Sequence, residues 1–115
     1  MAIAKQVFVP DAGDIVWVDL NPTLGREQRG RRPALVISQK SYNGKTGMML
    51  ACPMTTSEKG YPFELLLSNS GGKSVVLADQ LRCLDWRERN IELIAHATDD
   101  EFDQVKGLLS TLLGI

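Results

Sequence analysis

The sequence predicts a mainly β fold closed by one C-terminal helix, built as a compact antiparallel sheet or small barrel. Short apolar runs rich in Val, Ile and Leu alternate with clusters of Gly, Pro, Asn, Asp and Ser, the signature of strands joined by turns. Only the last segment repeats its apolar residues at helical spacing. No glycine-rich loop runs from a strand into a helix, so a phosphate-cradling βαβ fold is disfavoured. With 115 residues the chain is expected to make one domain, 1–115, able to bury a core without disulfide or metal staples.

At the start, MAIAKQVFVP has no apolar stretch long enough for a signal peptide, and no segment approaches transmembrane length. The expectation is a cytoplasmic protein with no membrane attachment. Residues 11–13 (DAG) are a turn, and residues 14–20 (DIVWVDL) form the first strand. Its apolar residues are nearly continuous, so both faces are expected to be partly covered. Residues 34–38 (ALVIS) are the second strand. Residues 41–44 and 46–47 frame a turn, in which Asn43 and Gly44 favour a reversal with positive backbone angles. A third strand over 48–53 (MMLACP) precedes a polar loop over 55–60 (TTSEKG). Residues 62–67 (PFELLL) make the fourth strand, Gly71 and Gly72 a turn, and 74–80 (SVVLADQ) the fifth. A short helical turn over 84–89 and a last strand over 91–97 complete the sheet. Thr98 and Glu101 then fit a capping box. Phe102, Val105, Leu108, Leu109, Leu112 and Leu113 form one helical stripe ended by Gly114, and this helix should pack on the sheet.

Arg26, Arg29, Arg31 and Arg32 crowd one stretch, interrupted by Glu27 and Gly30 and closed by Pro33. Residues 1–60 carry eight Lys/Arg against five Asp/Glu, and residues 61–115 five against nine, so a net charge of -1 conceals a basic half. A nucleic acid should therefore meet a local patch. The single histidine, His96, stands in an apolar stretch with no Ser or Cys arranged for activation, which argues against a Ser-His-Asp hydrolase. Cys52 and Cys83 have no Cys or His at metal-ligand spacing, which argues against a structural zinc site, and both read as reduced, buried residues; no cofactor is expected.

Acid–base chemistry then falls to carboxylates and arginines. Glu27 and Arg32 share one loop and suit RNA scission by the neighbouring 2′-hydroxyl, Glu27 as base and Arg32 as a planar clamp on phosphate. A surface acid balancing its arginine neighbours is an equal reading of Glu27. Thr55, Thr56 and Ser57 offer hydroxyls and N–H groups to phosphate oxygens, or are ordinary turn residues. Asp79 and Gln80 end an apolar run, where they orient arginines, read a base edge or merely terminate a strand. Trp17, Tyr42, Tyr61, Phe63 and Trp86 are candidate base-stacking groups, each with a core position as the alternative, and the core is the better assignment for Trp17 and Phe63.

Four stretches in this order carry a resemblance: GDIVWVDLNPTLGREQRGRRPALVIS, YNGKTGMMLACPMTT, KGYPFELLL and VVLADQLRCLDWRER. They resemble the MazF (PemK/Kid-type) toxins of bacterial toxin–antitoxin modules over nearly the whole chain, the E-Q-x-G-x-R-P core with P-x-T-T being the specific part. The resemblance implies a metal-independent endoribonuclease that cuts single-stranded RNA, mainly mRNA, leaving 2′,3′-cyclic phosphate and 5′-hydroxyl ends. It also implies an SH3-like barrel, a homodimer, and a cognate MazE-like antitoxin with a disordered acidic tail, through which alone DNA is met. Carried over by position, Arg32 and Thr55 match the family's essential arginine and threonine, Glu27 the acidic residue of the E-Q motif, and Thr56 the adjacent hydroxyl. Asp79 matches a carboxylate assigned as base in the Kid-like branch. Arg26 and Leu77, however, stand where that branch has His and Arg, so Glu27 with Arg32 is preferred. The expected site is thus Arg32, Thr55 and Glu27 for catalysis, with Arg26, Gln28, Arg29, Arg31, Thr56, Ser57, Asp79 and Gln80 holding RNA. The alternative is a non-catalytic CcdB-like toxin that binds a protein target, and it is disfavoured because such toxins lack the E-Q-x-G-x-R-P arrangement. A DNA-binding repressor has no helix-turn-helix to support it.

Overall fold

The structure, a computed structural model, describes residues 8–68 and 74–115. Its elements are β1 (Asp14–Asp19), β2 (Arg31–Val36), α1 (Lys40–Thr46), β3 (Met48–Thr55), β4 (Glu64–Leu67) and β5 (Ser74–Leu77). A 3-10 turn (Ala78–Gln80), β6 (Arg82–Asp85), β7 (Glu92–His96) and α2 (Asp99–Leu113) follow. The strands pair antiparallel in the order β4-β5-β3-β2-β1-β7, with β6 beside β3, and the sheet curls into a half-barrel with α2 against it. The mainly antiparallel fold with a C-terminal helix is as expected. The N-terminal residues 1–7 and the Gly71-Gly72 turn lie outside the described residues.

Alternate residues of the central strands feed two cores. Ile15, Leu35, Cys52 and Met54 point to the side where Val105 and Leu109 of α2 seal them. Val16, Val18, Ala34, Val36, Met49 and Ala51 point the other way, onto Leu84 and Trp86. Two covered faces explain why DIVWVDL shows so little alternation. Trp17 departs from its assignment to the core, being 37% exposed. Trp86 goes inside at 3% exposure, its indole N–H donating to the Asn43 carbonyl at 2.9 Å.

Four local expectations change. Residues 41–46 belong to α1 rather than to a turn. Asn43 is fully buried there, its amide donating to the Pro10 and Ser38 carbonyls, and the left-handed position moves to Gly47 (φ 72°), which caps the helix. Residues 82–85 are strand β6, paired with Met48–Ala51, so Leu84 and Asp85 belong to a strand and not to the helical turn expected over 84–89. The fifth strand stops at Leu77 instead of Gln80. β3 pairs β5 through Met54 and Thr55, but Pro53 offers no N–H at the next rung, so the chain leaves the ladder as a 3-10 turn. Cys83 is exposed rather than buried, while Cys52 is fully buried.

Candidate active site

The candidate site forms where the start of β2 lies beside the end of β3. The β2–β3 register pairs Ala34 with Pro53, and continuing it by two residues sets Thr55 opposite Arg32. Arg31 and Arg32, as neighbours in a strand, leave on opposite faces. Arg31 turns away to Asp19 Oδ1 (3.3 Å) and the Asn90 carbonyl (2.7 Å). Arg32 enters a cleft of about 820 Å³ lined also by Arg26, Gln28, Thr55, Thr56, Ser57, Asp79 and Gln80. Lys59, Tyr61, Glu64 and Leu77 complete the lining.

Each polar group has a definable state. Arg32 Nε donates to the Arg29 carbonyl at 3.1 Å, which leaves both terminal nitrogens without a partner among the described residues. Thr55 Oγ1 accepts from the Ser57 backbone N–H at 3.1 Å, so its own hydroxyl proton remains available to a ligand. Gln80 Oε1 accepts the Gln28 backbone N–H at 3.0 Å and ties the arginine stretch to the 3-10 turn. Glu64 Oε1 accepts from the backbone N–H groups of Lys59 (3.1 Å) and Tyr61 (3.0 Å). Asp79 is exposed and accepts no hydrogen bond among the described residues. Burial, and secondarily the Asp79 carboxylate, push the Cys52 thiol up to about 12. Cys52 is therefore an inert neighbour of the cleft.

Eight of the eleven expected site residues line this cleft; Glu27, Arg29 and Arg31 do not. Glu27 is exposed on the loop, with its backbone N–H closing a turn onto the Leu24 carbonyl, so the structure does not bring it into the cleft with Arg32. Arg29 is turned back to the Gly25 carbonyl at 3.0 Å. Lys59, Glu64 and Leu77 are additions to the expected site. Lys59 lies within the TTSEKG loop itself. Glu64 and Leu77 are brought together by the pairing of β4 with β5, which no local pattern in the sequence signals. His96 lies elsewhere, Nδ1 2.8 Å from Asp14 Oδ1. Among the described residues no three His, Cys, Asp or Glu side chains cluster as a metal site would require.

Residues 11–113 match the family model described as PemK-like, MazF-like toxin of type II toxin-antitoxin system. The chain belongs to that family. It is 46% identical over 107 residues to the endoribonuclease toxin MazF of Escherichia coli K12, covering 93% of this chain and 96% of that one. It is 31% identical to the E. coli endoribonuclease PemK, over 90% of this chain and 81% of that one. A crystal structure of MazF from Deinococcus radiodurans superposes with a TM-score of 0.90 at 53% identity, covering 95% of this chain and all of the other. The MazF of a MazE–MazF complex from the same organism gives 0.83 at 49% identity, over 95% of this chain and 99% of that one. Membership of the PemK/MazF-like family places the chain on the toxin side of a toxin–antitoxin pair, and the CcdB-like alternative is not favoured. No described helix is long and apolar enough to cross a membrane.

Proposed function

We propose that the chain, as a PemK/MazF-type endoribonuclease toxin, cuts single-stranded RNA in the cleft between Arg32, Thr55 and Asp79 without a metal ion. The convergence of those three side chains on one accessible cleft carries the reading. The terminal nitrogens of Arg32 clamp the non-bridging oxygens of the scissile phosphate, and the Thr55 hydroxyl donates to the same charge as it grows. A carboxylate takes the proton of the ribose 2′-hydroxyl; the 2′-oxygen bonds to phosphorus, the bond to the 5′-oxygen breaks, and that oxygen is protonated from solvent. The products are a 2′,3′-cyclic phosphate and a 5′-hydroxyl. Asp79 is better placed for the base than Glu27, because it lines the cleft and Glu27 does not. Arg26, Gln28, Thr56, Ser57 and Gln80 hold the strand; Arg29 and Arg31, bonded to the Gly25 carbonyl and to Asp19, take no direct part.

Residues 1–115 make one toxin domain in this reading, cytoplasmic, homodimeric and silenced by a MazE-like antitoxin. Purified protein incubated with a long RNA in EDTA tests it. Discrete cuts with cyclic-phosphate ends are expected, and Arg32→Ala should lower kcat by roughly 10²–10³-fold with the fold retained. Intact RNA, or cutting that needs an added metal, sinks the proposal.

A further inference from the structure

The cleft is not uniformly polar. Arg26, Gln28, Arg32, Thr55, Thr56 and Ser57 suit phosphate and ribose, but a single-stranded RNA also presents bases, which need a flat apolar face. Of the described aromatic side chains, Tyr61 alone joins the lining, where it is 62% exposed, and Leu77 is the apolar residue of the same lining. Trp86 is buried, and Trp17 and Tyr42 lie outside the lining.

The backbone beneath Tyr61 is held by one carboxylate. Glu64 accepts from the N–H groups of Lys59 and Tyr61 through Oε1, and its own N–H donates to the Tyr61 carbonyl at 3.1 Å. Glu64 is itself anchored in β4, paired with Leu77 of β5. These bonds give a structural reason for an acid in a cleft that should receive phosphate: one of its two oxygens, Oε1, is committed to backbone amides. They also hold the turn, so the Tyr61 ring keeps few freedoms beyond its own two torsions.

We infer that Tyr61 is the stacking platform for an RNA base in this cleft, and that Glu64 positions it by clamping the Lys59–Tyr61 turn. The inference rests on the proposed ribonuclease reading and assigns its base-contacting side. The Tyr61 ring, not its hydroxyl, carries the contact, because every base has a π-face to stack.

The test uses full-length wild type, Tyr61→Phe, Tyr61→Ala, Glu64→Gln and Glu64→Ala. Each is measured for kcat and KM on one RNA, for the sequences flanking its cuts, and for Kd toward a 2′-O-methyl oligonucleotide carrying the wild-type cut site. Tyr61→Ala should raise KM and Kd roughly tenfold with kcat within about twofold, and should loosen the flanking preference. Tyr61→Phe should match wild type. Glu64→Ala should reproduce the Tyr61→Ala pattern, and Glu64→Gln, which keeps an acceptor oxygen, should restore most of it. A Tyr61→Ala protein that binds and cuts as wild type overturns the inference, as does a Tyr61→Phe protein as weak as Tyr61→Ala. Wild type that leaves RNA intact overturns the ribonuclease reading instead, so the two failures are told apart.

Discussion

Arg32 and Asp79 show how much a residue's role depends on what its neighbours leave it free to do. The Nε of Arg32 is occupied by the Arg29 carbonyl, which orients the guanidinium and leaves its two outer nitrogens open to the cleft, as the proposed phosphate clamp requires. Asp79 lines the same cleft with its carboxylate uncommitted among the described residues, whereas Glu27 sits outside it. Asp79→Asn should therefore reduce kcat by roughly 10²-fold or more, and Glu27→Gln by only a few-fold. The reverse ranking in single-turnover cleavage would return the base to the loop. Cys52 gives a pH signature. Its thiol is raised from 9.0 to about 12 in the fold, so between those values the unfolded chain ionises while the native thiol stays protonated. The native state then binds more protons, and stability falls as pH rises above 9.0 by about 1.4 kcal/mol per unit from this group. Urea unfolding at pH 8 to 10.5 should show that loss, and Cys52→Ala should flatten it; equal slopes in the two proteins would exclude Cys52 as the cause.

At the scale of elements, α2 is the clearest case of local chemistry agreeing with tertiary packing. Thr98 Oγ1 accepts the Glu101 N–H at 3.1 Å, and Glu101 Oε1 accepts the Thr98 N–H at 3.0 Å, completing the capping box. The other Glu101 oxygen accepts from the Ser68 N–H (2.8 Å) and hydroxyl (3.1 Å), so the cap also docks the helix start against the end of β4. Burial acts to raise the Glu101 carboxyl, but the bonds from Ser68 and Thr98 outweigh it and hold the group below its usual value. A depressed carboxyl stabilises the fold above its unfolded value and loses that contribution as pH falls through the folded one. Thr98→Ala should cost about 1 kcal/mol in urea titration at pH 7, and an unchanged midpoint would remove the cap from the account.

For the whole molecule, net charge misleads. The chain carries -1 overall, yet Arg26, Arg32 and Lys59 meet in one cleft against Asp79 and an amide-bound Glu64. Binding to single-stranded RNA should therefore weaken with salt, with a log–log slope of about -2 if three phosphates are engaged. Lys59→Ala should make that slope shallower by about 0.7. A Kd toward the uncleavable oligonucleotide that ignores salt would mean that the cleft does not face the backbone.

The sequence by itself determined six of the seven strands, the terminal helix with its cap, and the chemical kind of the site, because those rest on local periodicity and on residue types close along the chain. It named Arg32, Thr55, Asp79 and Gln80 for the same reason. Tertiary structure decided the rest. Pairing across β4 and β5 delivered Glu64 and Leu77, and strand alternation sent Arg31 away from its neighbour Arg32. A buried Asn43 made a helix of a stretch that reads locally as a turn. Neighbours in sequence share composition, but only backbone direction and cross-strand register settle which side chains share a cleft.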